Sequence, residues 1–362
     1  MTIIHISSAK TWRGGEQQIA YLLVELAERK IQQIMLCPVN SPLHLFCEKQ
    51  SIPVKTFAKR SGVDLGLAWQ LTRLCRRSVR PIIHVHDSQA HTAAFISATL
   101  WMNKTPVIIH RRVGFPLKKS FLTGLKYNHH SISRIICVSE YVREHMNAVL
   151  ANTGKTVTVY DGIDLTKFQG KTKCRILKER FNFSDKHILI GNTSAITEEK
   201  DYFTFIDTAD ILLRNHDDLR FFIIGDGSQK QIITDYIEEK GLSDKILLTG
   251  FVNNIQDILP ELDLFLFTSV MEGLGTSLLD AFACRIPVVS TNAGGIPEIV
   301  KDHITGLVVG IKKPAEMAIA VEAILTNPEL KHKLVENAYV WVQEFSVKNI
   351  ASEIIDIYNK VK

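Results

Sequence analysis

The 362-residue sequence has no apolar run long enough to cross a membrane, and it has few cysteines. Its longest apolar stretches, such as residues 81–85 and 262–267, have the length of β-strands, whereas a membrane helix needs about 20 apolar residues. The six cysteines are scattered without a CxxC pair, which is typical of reduced thiols and not of disulfides or a zinc site. Residues 1–6 begin directly with a buried-strand pattern instead of a basic leader, so we expect a cytoplasmic protein.

Two motifs of other protein classes are also missing. A nicotinamide-dependent oxidoreductase carries GxGxxG directly after its first strand, and the segment Trp12-Arg-Gly-Gly-Glu16 does not supply it. His84 and His86 point to one face of a strand, as two metal ligands would, but no third ligand with suitable spacing follows them. The sequence therefore predicts neither a nicotinamide enzyme nor a bound metal.

Charge is distributed unevenly along the chain. Residues 1–170 contain 22 Lys and Arg against 10 Asp and Glu, a net charge of +12. The remaining residues contain 21 basic against 28 acidic side chains, a net charge of −7. This asymmetry favours an anionic partner for the first half of the chain.

Strand and helix patterns alternate from the first residue, which predicts parallel sheets with helices on both faces. A first series has strands near residues 2–6, 33–37, 53–57, 82–86, 106–110, 134–138 and 156–159. A second series has strands near residues 187–190, 220–224, 245–248, 264–267, 287–290 and 306–309. The sequence thus predicts an α/β protein of two Rossmann-like domains, with ligands at the carboxyl ends of the strands in a cleft between them.

The segment at residues 269–288 carries the most specific chemistry. A loop leads from a strand into a helix that begins near Thr276, and the free N–H groups of that helix start form an anion site suited to a diphosphate. Because Glu272 would repel a phosphate, we expect it to accept hydrogen bonds from sugar hydroxyls. Asp280 follows about one helical turn into the helix and is placed for a second pair of hydroxyls, such as those of a ribose.

The run Glu272-Gly-Leu-Gly-Thr-Ser-Leu-Leu-Asp280-Ala-Phe-Ala-Cys-Arg-Ile-Pro-Val288 resembles the E-x7-E signature of retaining GT-B glycosyltransferases, specifically glycosyltransferase family 4 (glycosyl transferases group 1). Two positions depart from the family pattern, since Asp280 replaces the second Glu and Arg285 stands where Gly is usual. The resemblance implies two Rossmann-like domains that face each other across a cleft. It places an acceptor-binding domain at residues 1–168, a donor-binding domain at 169–344, and a terminal helix at 345–362 that crosses back onto the first domain.

Other motifs assign further site residues through the same resemblance. Lys200 matches a lysine that neutralises the departing diphosphate, but the arginine that the family places about five positions earlier is absent. Arg111 and Arg112 follow a strand of the first half and are candidates for the missing phosphate contact or for contacts to the acceptor. His110 matches a cleft histidine that touches the transferred sugar. The remaining donor contacts implied by the motifs are Gly14, Gly15, Phe251, Val252, Gly273, Leu274, Gly275 and Thr276.

Two motif positions have structural interpretations. Asp161, at the expected domain junction, stands where the family has Asn, and we expect it to shape the hinge. Gly294 and Gly295 lie in Thr291-Asn-Ala-Gly-Gly-Ile-Pro-Glu298, which resembles a family motif. A purely structural turn and a direct ligand contact both remain open for this glycine pair.

We therefore expect a retaining, metal-independent hexosyltransferase that uses a UDP- or GDP-hexose and no additional cofactor. The sequence contains no DxD, the diphosphate–metal motif of the other common glycosyltransferase fold, which agrees with metal-independent chemistry. The expected acceptor is a glycan or a lipid-linked intermediate in the synthesis of a cell-envelope or surface polysaccharide or glycolipid, such as lipopolysaccharide, and no nucleic acid partner is expected. Two alternatives remain open, a sugar-nucleotide epimerase of the same fold and a noncatalytic sugar-nucleotide-binding protein.

Basic residues of the first half cluster at 55–80 and at 111–126. In the second cluster, lysines alternate with apolar side chains at near-helical spacing: Lys118, Lys119, Phe121, Leu122, Leu125 and Lys126. Such a segment suits an anionic membrane surface, with apolar side chains in the acyl boundary and lysines at the headgroups. The sequence predicts reversible docking on the inner face of the cytoplasmic membrane, with a packed helix carrying solvated lysines as the alternative.

Overall fold

The computed structural model describes residues 1–59, 63–115, 117, 120–171 and 174–361. The chain forms two compact units, one made of Met1–Gly162 with Val347–Lys362 and the other of Ile163–Ser346. The boundaries expected after residue 168 and before residue 345 both fall a few residues inside the second unit. The chain passes between the two units twice, near residue 163 and near residue 346. These two segments are joined by a hydrogen bond from the Ile163 N–H to the Phe345 carbonyl at 2.8 Å.

The first unit is built on a seven-stranded parallel sheet with the order β3-β2-β1-β4-β5-β6-β7. Its strands are β1 Thr2–Ile6, β2 Gln32–Pro38, β3 Val54–Phe57, β4 Pro81–Val85, β5 Val107–Arg111, β6 Ile132–Cys137 and β7 Thr156–Thr158. The helices between them are α1 Gly14–Glu28, α2 Pro42–Lys49, α3 Leu65–Arg76, α4 Ser88–Leu100, α5 Phe121–Tyr127 and α6 Glu140–Asn147. The strand order reverses between β1 and β4, and the carboxyl ends of such strands are where open α/β sheets bind ligands.

The second unit has a six-stranded parallel sheet with the order β10-β9-β8-β11-β12-β13. Its strands are β8 Ile188–Thr193, β9 Leu219–Ile224, β10 Ile246–Gly250, β11 Leu264–Phe267, β12 Val288–Thr291 and β13 Leu307–Val309. Its helices are α7 Ile176–Arg180, α8 Tyr202–Leu213, α9 Lys230–Glu239, α10 Ile255–Ile258, α11 Thr276–Ala283, α12 Ile296–Ile299, α13 Pro314–Thr326 and α14 Pro328–Trp341. Here the order reverses between β8 and β11.

The last helix, α15 Val347–Lys360, belongs to the first unit. It buries Ile350, Ile354 and Tyr358 against the sheet residues Ile3 and Ile108 in a common apolar core. Among the described helices, none combines the length and the apolar character that a membrane-crossing segment requires.

Candidate functional site

An ion pair joins the two loops at the strand-order reversal of the second unit. Lys200 ends a short 3-10 turn after β8, Glu272 follows β11, and the Lys200 Nζ contacts the Glu272 carboxylate. Both side chains are largely enclosed, with 17% and 11% of their surfaces exposed. The Ser269 hydroxyl donates to the same carboxylate oxygen at 3.0 Å. The two residues that the sequence assigned to sugar and diphosphate therefore lie in direct contact.

Backbone hydrogen bonds hold these two loops against each other. The Val270 N–H donates to the Glu199 carbonyl at 2.9 Å, and the Thr268 hydroxyl donates to the Lys200 carbonyl at 3.1 Å. Bonds of this kind on both sides of an ion pair limit the rearrangement that its charged groups can undergo. The Lys200–Glu272 pair is thus part of a preorganised loop pair.

The loop that contains Gly273 and Leu274 runs directly into α11. Gly275 precedes the helix with a φ of +89°, a left-handed conformation that favours glycine, and no side-chain hydrogen bond caps the helix start at Thr276. A helix start without a side-chain cap presents N–H groups and the positive end of its dipole, which suits a phosphate. This anion-binding geometry begins four residues after Glu272.

Asp280 lies on α11, one turn after Thr276. It is half-buried, and burial raises the pKa of its carboxyl to about 7, while the nearby Lys167 acts in the opposite direction. The carboxyl therefore changes charge close to neutral pH. It can accept two hydrogen bonds as an anion and accepts less strongly when protonated.

Two adjacent loops form a platform at the carboxyl ends of β9 and β10. Gly225 and Gly250 pair across an isolated antiparallel bridge, which brings the loops together. Phe251 follows with 63% of its surface exposed, and Val252 is half-buried. An exposed phenyl ring at this edge is suited to stacking on a nucleobase. The structure brings both predicted base contacts to one sheet edge of the second unit.

Gly225 and Gly227 are needed for close packing of the β9 loop. A Cβ atom on Gly225 would lie 2.0 Å from the Ser194 carbonyl oxygen, and one on Gly227 would lie 2.2 Å from the Ile196 carbonyl oxygen. The contacts shape the loop after β8, which ends at Lys200. These glycines therefore support the site sterically.

In the first unit, a cluster of four buried histidines covers the strand-order reversal. His5 of β1 pairs in register with His84 of β4, and His86 and His110 stand at the ends of β4 and β5. We call His5, His84, His86 and His110 the histidine cluster; each has 8% or less of its surface exposed. Tyr358 of α15 packs against the cluster, with its hydroxyl 2.6 Å from the His84 Nδ1.

Arg112 connects this cluster to the domain junction. Its Nη2 lies 2.9 Å from the His110 Nδ1, its Nη1 3.2 Å from the His86 Nδ1, and its Nε 3.0 Å from the Asp161 Oδ1. The side chains of Arg112 and Asp161 are 10% and 8% exposed. Arg111, by contrast, donates to the Phe115 carbonyl at 2.8 Å. Both arginines considered for the missing phosphate contact are therefore engaged within their own unit.

The structure places a third histidine, His5, beside His84 and His86, although no third metal ligand follows them in the sequence. Potential ligand atoms of His5, His84 and His86 all lie within 4.8 Å of one another. Arg112 changes what these nitrogens can do, because a donor on the His86 Nδ1 requires that the proton of neutral His86 sit on Nε2. That Nε2 then donates to the His5 Nδ1, 3.0 Å away, and turns no lone pair toward a cation. The geometry favours hydrogen bonding over metal coordination.

Gly14 and Gly15, for which the sequence predicted a loop, are the first two residues of α1 at the same sheet edge. Glu16 of this helix accepts a hydrogen bond from the Arg13 N–H at 2.9 Å, which is half of a capping box and gives this glutamate a structural role. Further along α1, the Gln18 amide bonds both the Gly162 N–H (2.9 Å) and the Gly162 carbonyl (2.7 Å). The helix that begins with this glycine pair therefore also fixes Gly162, the last residue before the junction.

Three residues with a structural role near these sites were missed at the sequence level. Asp87 binds the N–H and hydroxyl of Ser8 at 2.5 and 2.8 Å and also caps α4, so it locks the loop after β1. Gln18 holds Gly162, and Ser269 holds Glu272. Asp87 was detectable as an N-cap residue directly after a strand, whereas the other two contacts depend on tertiary packing.

Comparison with known proteins adds the family. The family model for glycosyl transferases group 1 matches residues 175–341, and the model for glycosyltransferase family 4 matches residues 12–167. The chain is 25% identical over 322 residues to an alpha-D-kanosaminyltransferase of Streptomyces kanamyceticus, and the match covers 82% of each chain. It is 28% identical over 294 residues to a subunit of the phosphatidylinositol N-acetylglucosaminyltransferase of Homo sapiens, covering 77% of this chain and 57% of that protein.

Solved structures agree on the fold. The structure of Anabaena Alr3699/HepE in complex with UDP and glucose superposes with a TM-score of 0.86 over 100% of both chains, at 18% sequence identity. At that identity the likeness shows the fold alone. Together, the two family models account for nearly all of the chain from residue 12 to residue 341. The chain belongs to the GT-B glycosyltransferases of family 4, and it has two Rossmann-like domains.

Proposed function

We propose that the protein transfers a hexosyl unit from a UDP- or GDP-hexose to a glycan or lipid-linked acceptor with retention of configuration at the sugar. The observation that carries this proposal is the Lys200–Glu272 pair beside the helix start at Thr276. The loop pair and the helix that follows it thus offer a cation and the start of α11 for a diphosphate, and a carboxylate for sugar hydroxyls. The solved relative with UDP and glucose supports a nucleotide-sugar donor.

Each side chain of the second unit has a defined task in this proposal. Glu272 accepts hydrogen bonds from the sugar, Lys200 stabilises the charge that develops on the departing diphosphate, and Asp280 binds the ribose. Phe251 stacks on the base. When the donor binds, phosphate oxygens compete with Glu272 for the Lys200 ammonium, so the apo ion pair holds the lysine in place for the ligand.

Retention requires that the acceptor oxygen arrive on the face that the leaving group vacates. Glu272 is engaged by Lys200 and Ser269, which suits a hydrogen-bond acceptor more than a nucleophile. We therefore propose same-face attack, in which the bond between the sugar C1 and the phosphate oxygen breaks and that oxygen takes the proton of the acceptor hydroxyl. Lys200 and the α11 N-terminus supply the positive charge that a metal provides elsewhere, which supports metal-independent transfer.

For the acceptor, we propose a lipid-linked substrate at the inner face of the cytoplasmic membrane, in envelope or surface glycan synthesis. Helix α5 exposes 83% of Phe121, 73% of Leu122 and 48% of Leu125, so these three apolar side chains lie at the surface, while Tyr127 holds the helix to the core. The human relative is named for phosphatidylinositol, a lipid. Lys126 donates to the Ser88 carbonyl and the Thr92 hydroxyl, both at 2.9 Å, and so anchors α5 to α4. Lys118 and Lys119 lie outside the described residues.

The test is a donor screen followed by product analysis. Purified protein is incubated with UDP-, GDP- and ADP-hexoses and with membrane lipid extracts, and nucleoside diphosphate release is measured with and without EDTA. We expect release from one donor class, insensitivity to EDTA, and a glycosidic product with the anomeric configuration of the donor. Release that requires a divalent ion, or an inverted product, would overturn the mechanism. Interconversion of the sugar nucleotide without an acceptor would indicate the epimerase.

A further inference from the structure

Arg112 determines where the protons of two histidines lie. A guanidinium group can only donate hydrogen bonds, so each imidazole nitrogen that it contacts within hydrogen-bond distance must accept. The Nη2 contacts the His110 Nδ1 at 2.9 Å, and the Nη1 contacts the His86 Nδ1 at 3.2 Å. Both Nδ1 atoms are therefore unprotonated, and the proton of each neutral ring sits on Nε2.

The rings are neutral because of where they lie. His86 and His110 are buried, and burial, followed by neighbouring positive groups including Arg112, holds their pKa values well below the ordinary value. The titratable groups that face His110 are Tyr21, His5, His84, His86, Arg112, Asp161 and Tyr358. With the positive charge of Arg112 at hydrogen-bond distance, a second positive charge on His110 is strongly disfavoured.

The Nε2–H groups of His86 and His110 differ in their hydrogen-bond partners. The His86 Nε2 donates to the His5 Nδ1 at 3.0 Å. The His110 Nε2 is buried and, like the Nε2 atoms of His5 and His84, has no hydrogen-bond partner among the residues that the structure describes. Of these three histidines, His110 lies furthest toward the carboxyl end of the sheet, since the preceding residue, Ile109, pairs with Val85. Because a buried donor without a partner is destabilising, its position at the sheet edge where open α/β folds bind ligands points to a ligand oxygen that accepts from it.

We propose that Arg112 is a positioning residue that locks His110 in the Nε2–H form, so that His110 presents a hydrogen-bond donor to an oxygen of the sugar or of the acceptor. This inference rests on the proposed glycosyl transfer for its ligand, but the tautomer itself follows from geometry alone. Asp161 holds Arg112 in turn through the Nε contact of 3.0 Å. Three of the five guanidinium N–H groups are thereby engaged and the side chain is 10% exposed, which disfavours Arg112 as the substitute for the missing phosphate-binding arginine.

The position of Asp161 connects this lock to the domain junction. The next residue, Gly162, is held on both its N–H and its carbonyl by the Gln18 amide. Arg112 is thus fixed by a backbone segment that is itself fixed, as a positioning residue requires. The family's Asn at position 161 retains an oxygen that can accept from the Arg112 Nε, so Asp161→Asn is a conservative control.

The direct experiment is nuclear magnetic resonance of protein labelled with ¹⁵N in its histidine rings, with His110→Gln used to assign the signal. In the wild type and in Asp161→Asn, we expect a His110 proton on Nε2 and a bare Nδ1. In Arg112→Met combined with Asp161→Asn, which removes both buried charges together, we expect a mixture of tautomers. A proton on Nδ1 in the wild type, or an unchanged His110 signal in the folded double variant, would overturn the proposal. This readout needs no substrate, so it stands or fails independently of the glycosyltransferase assignment.

The kinetic signature is a loss that follows the position of the donor nitrogen, which a merely structural role would not produce. The double variant should reduce kcat/KM about fivefold, through the partial loss of one hydrogen bond from the His110 Nε2. An unchanged kcat/KM would contradict the assigned role. His110→Gln, whose amide nitrogen reaches the position of Nε2, should retain more activity than His110→Asn, and the reverse order would also contradict it.

Discussion

Gly294 packs so closely against Glu272 that a Cβ atom on Gly294 would lie 2.0 Å from the Glu272 carbonyl oxygen. Gly294 has a φ of +56°, and the neighbouring Gly295 N–H donates to the same carbonyl at 3.3 Å. The backbone of the proposed sugar-binding glutamate is therefore held by the loop after β12. This contact gives Gly294 a steric role, one of the two interpretations that the sequence left open.

Gly294→Ala should displace Glu272 and reduce transfer more than tenfold, because the clash is with backbone that no side-chain rotation can relieve. The matched control is Gly241→Ala, which has a similar φ of +69° but no atom within 4 Å of the added Cβ. Gly241→Ala should cost about 1–2 kcal/mol of unfolding free energy and leave kcat unchanged. Equal activity of both variants, with folding checked by circular dichroism, would mean that Gly294 does not position Glu272.

Glu272→Gln should keep the fold and most of the nucleotide affinity but severely reduce sugar transfer, because the carboxylate contacts the sugar more than the nucleotide.

Lys200→Ala should slow turnover by raising the activation free energy of transfer by about 2–4 kcal/mol, since the departing diphosphate loses a charge partner. The two losses should not add in the double variant, because the side chains form one ion pair in the free enzyme. Titration calorimetry with the free nucleoside diphosphate measures nucleotide affinity, and turnover with the identified donor measures sugar transfer. Near wild-type turnover of Glu272→Gln would remove the donor-site assignment.

Asp280 should make nucleotide binding depend on pH near neutrality. Burial raises the pKa of its carboxyl to about 7, so the group is mostly protonated at pH 6 and mostly ionised at pH 8. Ribose hydroxyls donate more strongly to the anion, and affinity for the free nucleoside diphosphate should rise across this range. In the ligand-free protein the sign is opposite, since ionising a buried acid with a raised pKa lowers stability as pH rises through that pKa. Asp280→Asn should abolish both trends; unchanged pH profiles of affinity and melting temperature would assign them to other groups.

The sequence predicted the parts of this site that depend on strand order and motif. Lys200 and Glu272 meet because both follow strands that flank a strand-order reversal, and the family resemblance identified both residues. The same reasoning, applied to β1 and β4, would have placed His5 beside His84 and corrected the search for a third histidine along the sequence alone.

The role of Arg112 was out of reach of sequence reasoning. Arg111 and Arg112 are adjacent and chemically identical, and only the end of β5 decides which side chain turns toward the histidines and which toward Phe115. The long side chains choose among many rotamers, and their contacts depend on Asp161, which is 49 residues away. Strand patterns determine which face a short residue occupies, but they do not determine such a contact.

Arg285 offers a stability test at the position where the family has Gly. It has a φ of +56° directly after α11, a left-handed conformation that explains the usual glycine. Arg285 compensates by pairing with Glu336 and by lying 3.8 Å over the Tyr339 ring. Arg285→Ala should lose these contacts, keep the strain and destabilise the protein by about 1 kcal/mol, whereas Arg285→Gly should be within about 0.5 kcal/mol of wild type. Chemical denaturation checks this order, and equal losses in the two variants would show that backbone strain is not the governing factor.

Membrane docking can be tested on the exposed apolar side chains of α5. Phe121→Ser with Leu122→Ser removes two side chains that are 83% and 73% exposed, so the fold should be retained. A second variant, Lys118→Glu with Lys119→Glu, tests the charge contribution without touching Lys126. Lys126 has a structural role through its hydrogen bonds to α4, and burial lowers the pKa of its ammonium to about 8. The matched control is Ile319→Ser, 70% exposed in the acidic second unit.

Co-sedimentation with vesicles that contain anionic lipid should show binding by the wild type and by Ile319→Ser, and reduced binding by both α5 variants. Each basic residue near an anionic surface contributes about 1 kcal/mol, so reversing two lysines should weaken binding at least tenfold. Salt should weaken wild-type binding through screening. Neutral vesicles should bind the protein poorly. The apolar side chains of one short helix contribute little binding free energy when no charges attract the protein to the surface. Equal binding to neutral vesicles, or none at low salt, would rule out docking on an anionic membrane surface and redirect the search for the acceptor to soluble glycans.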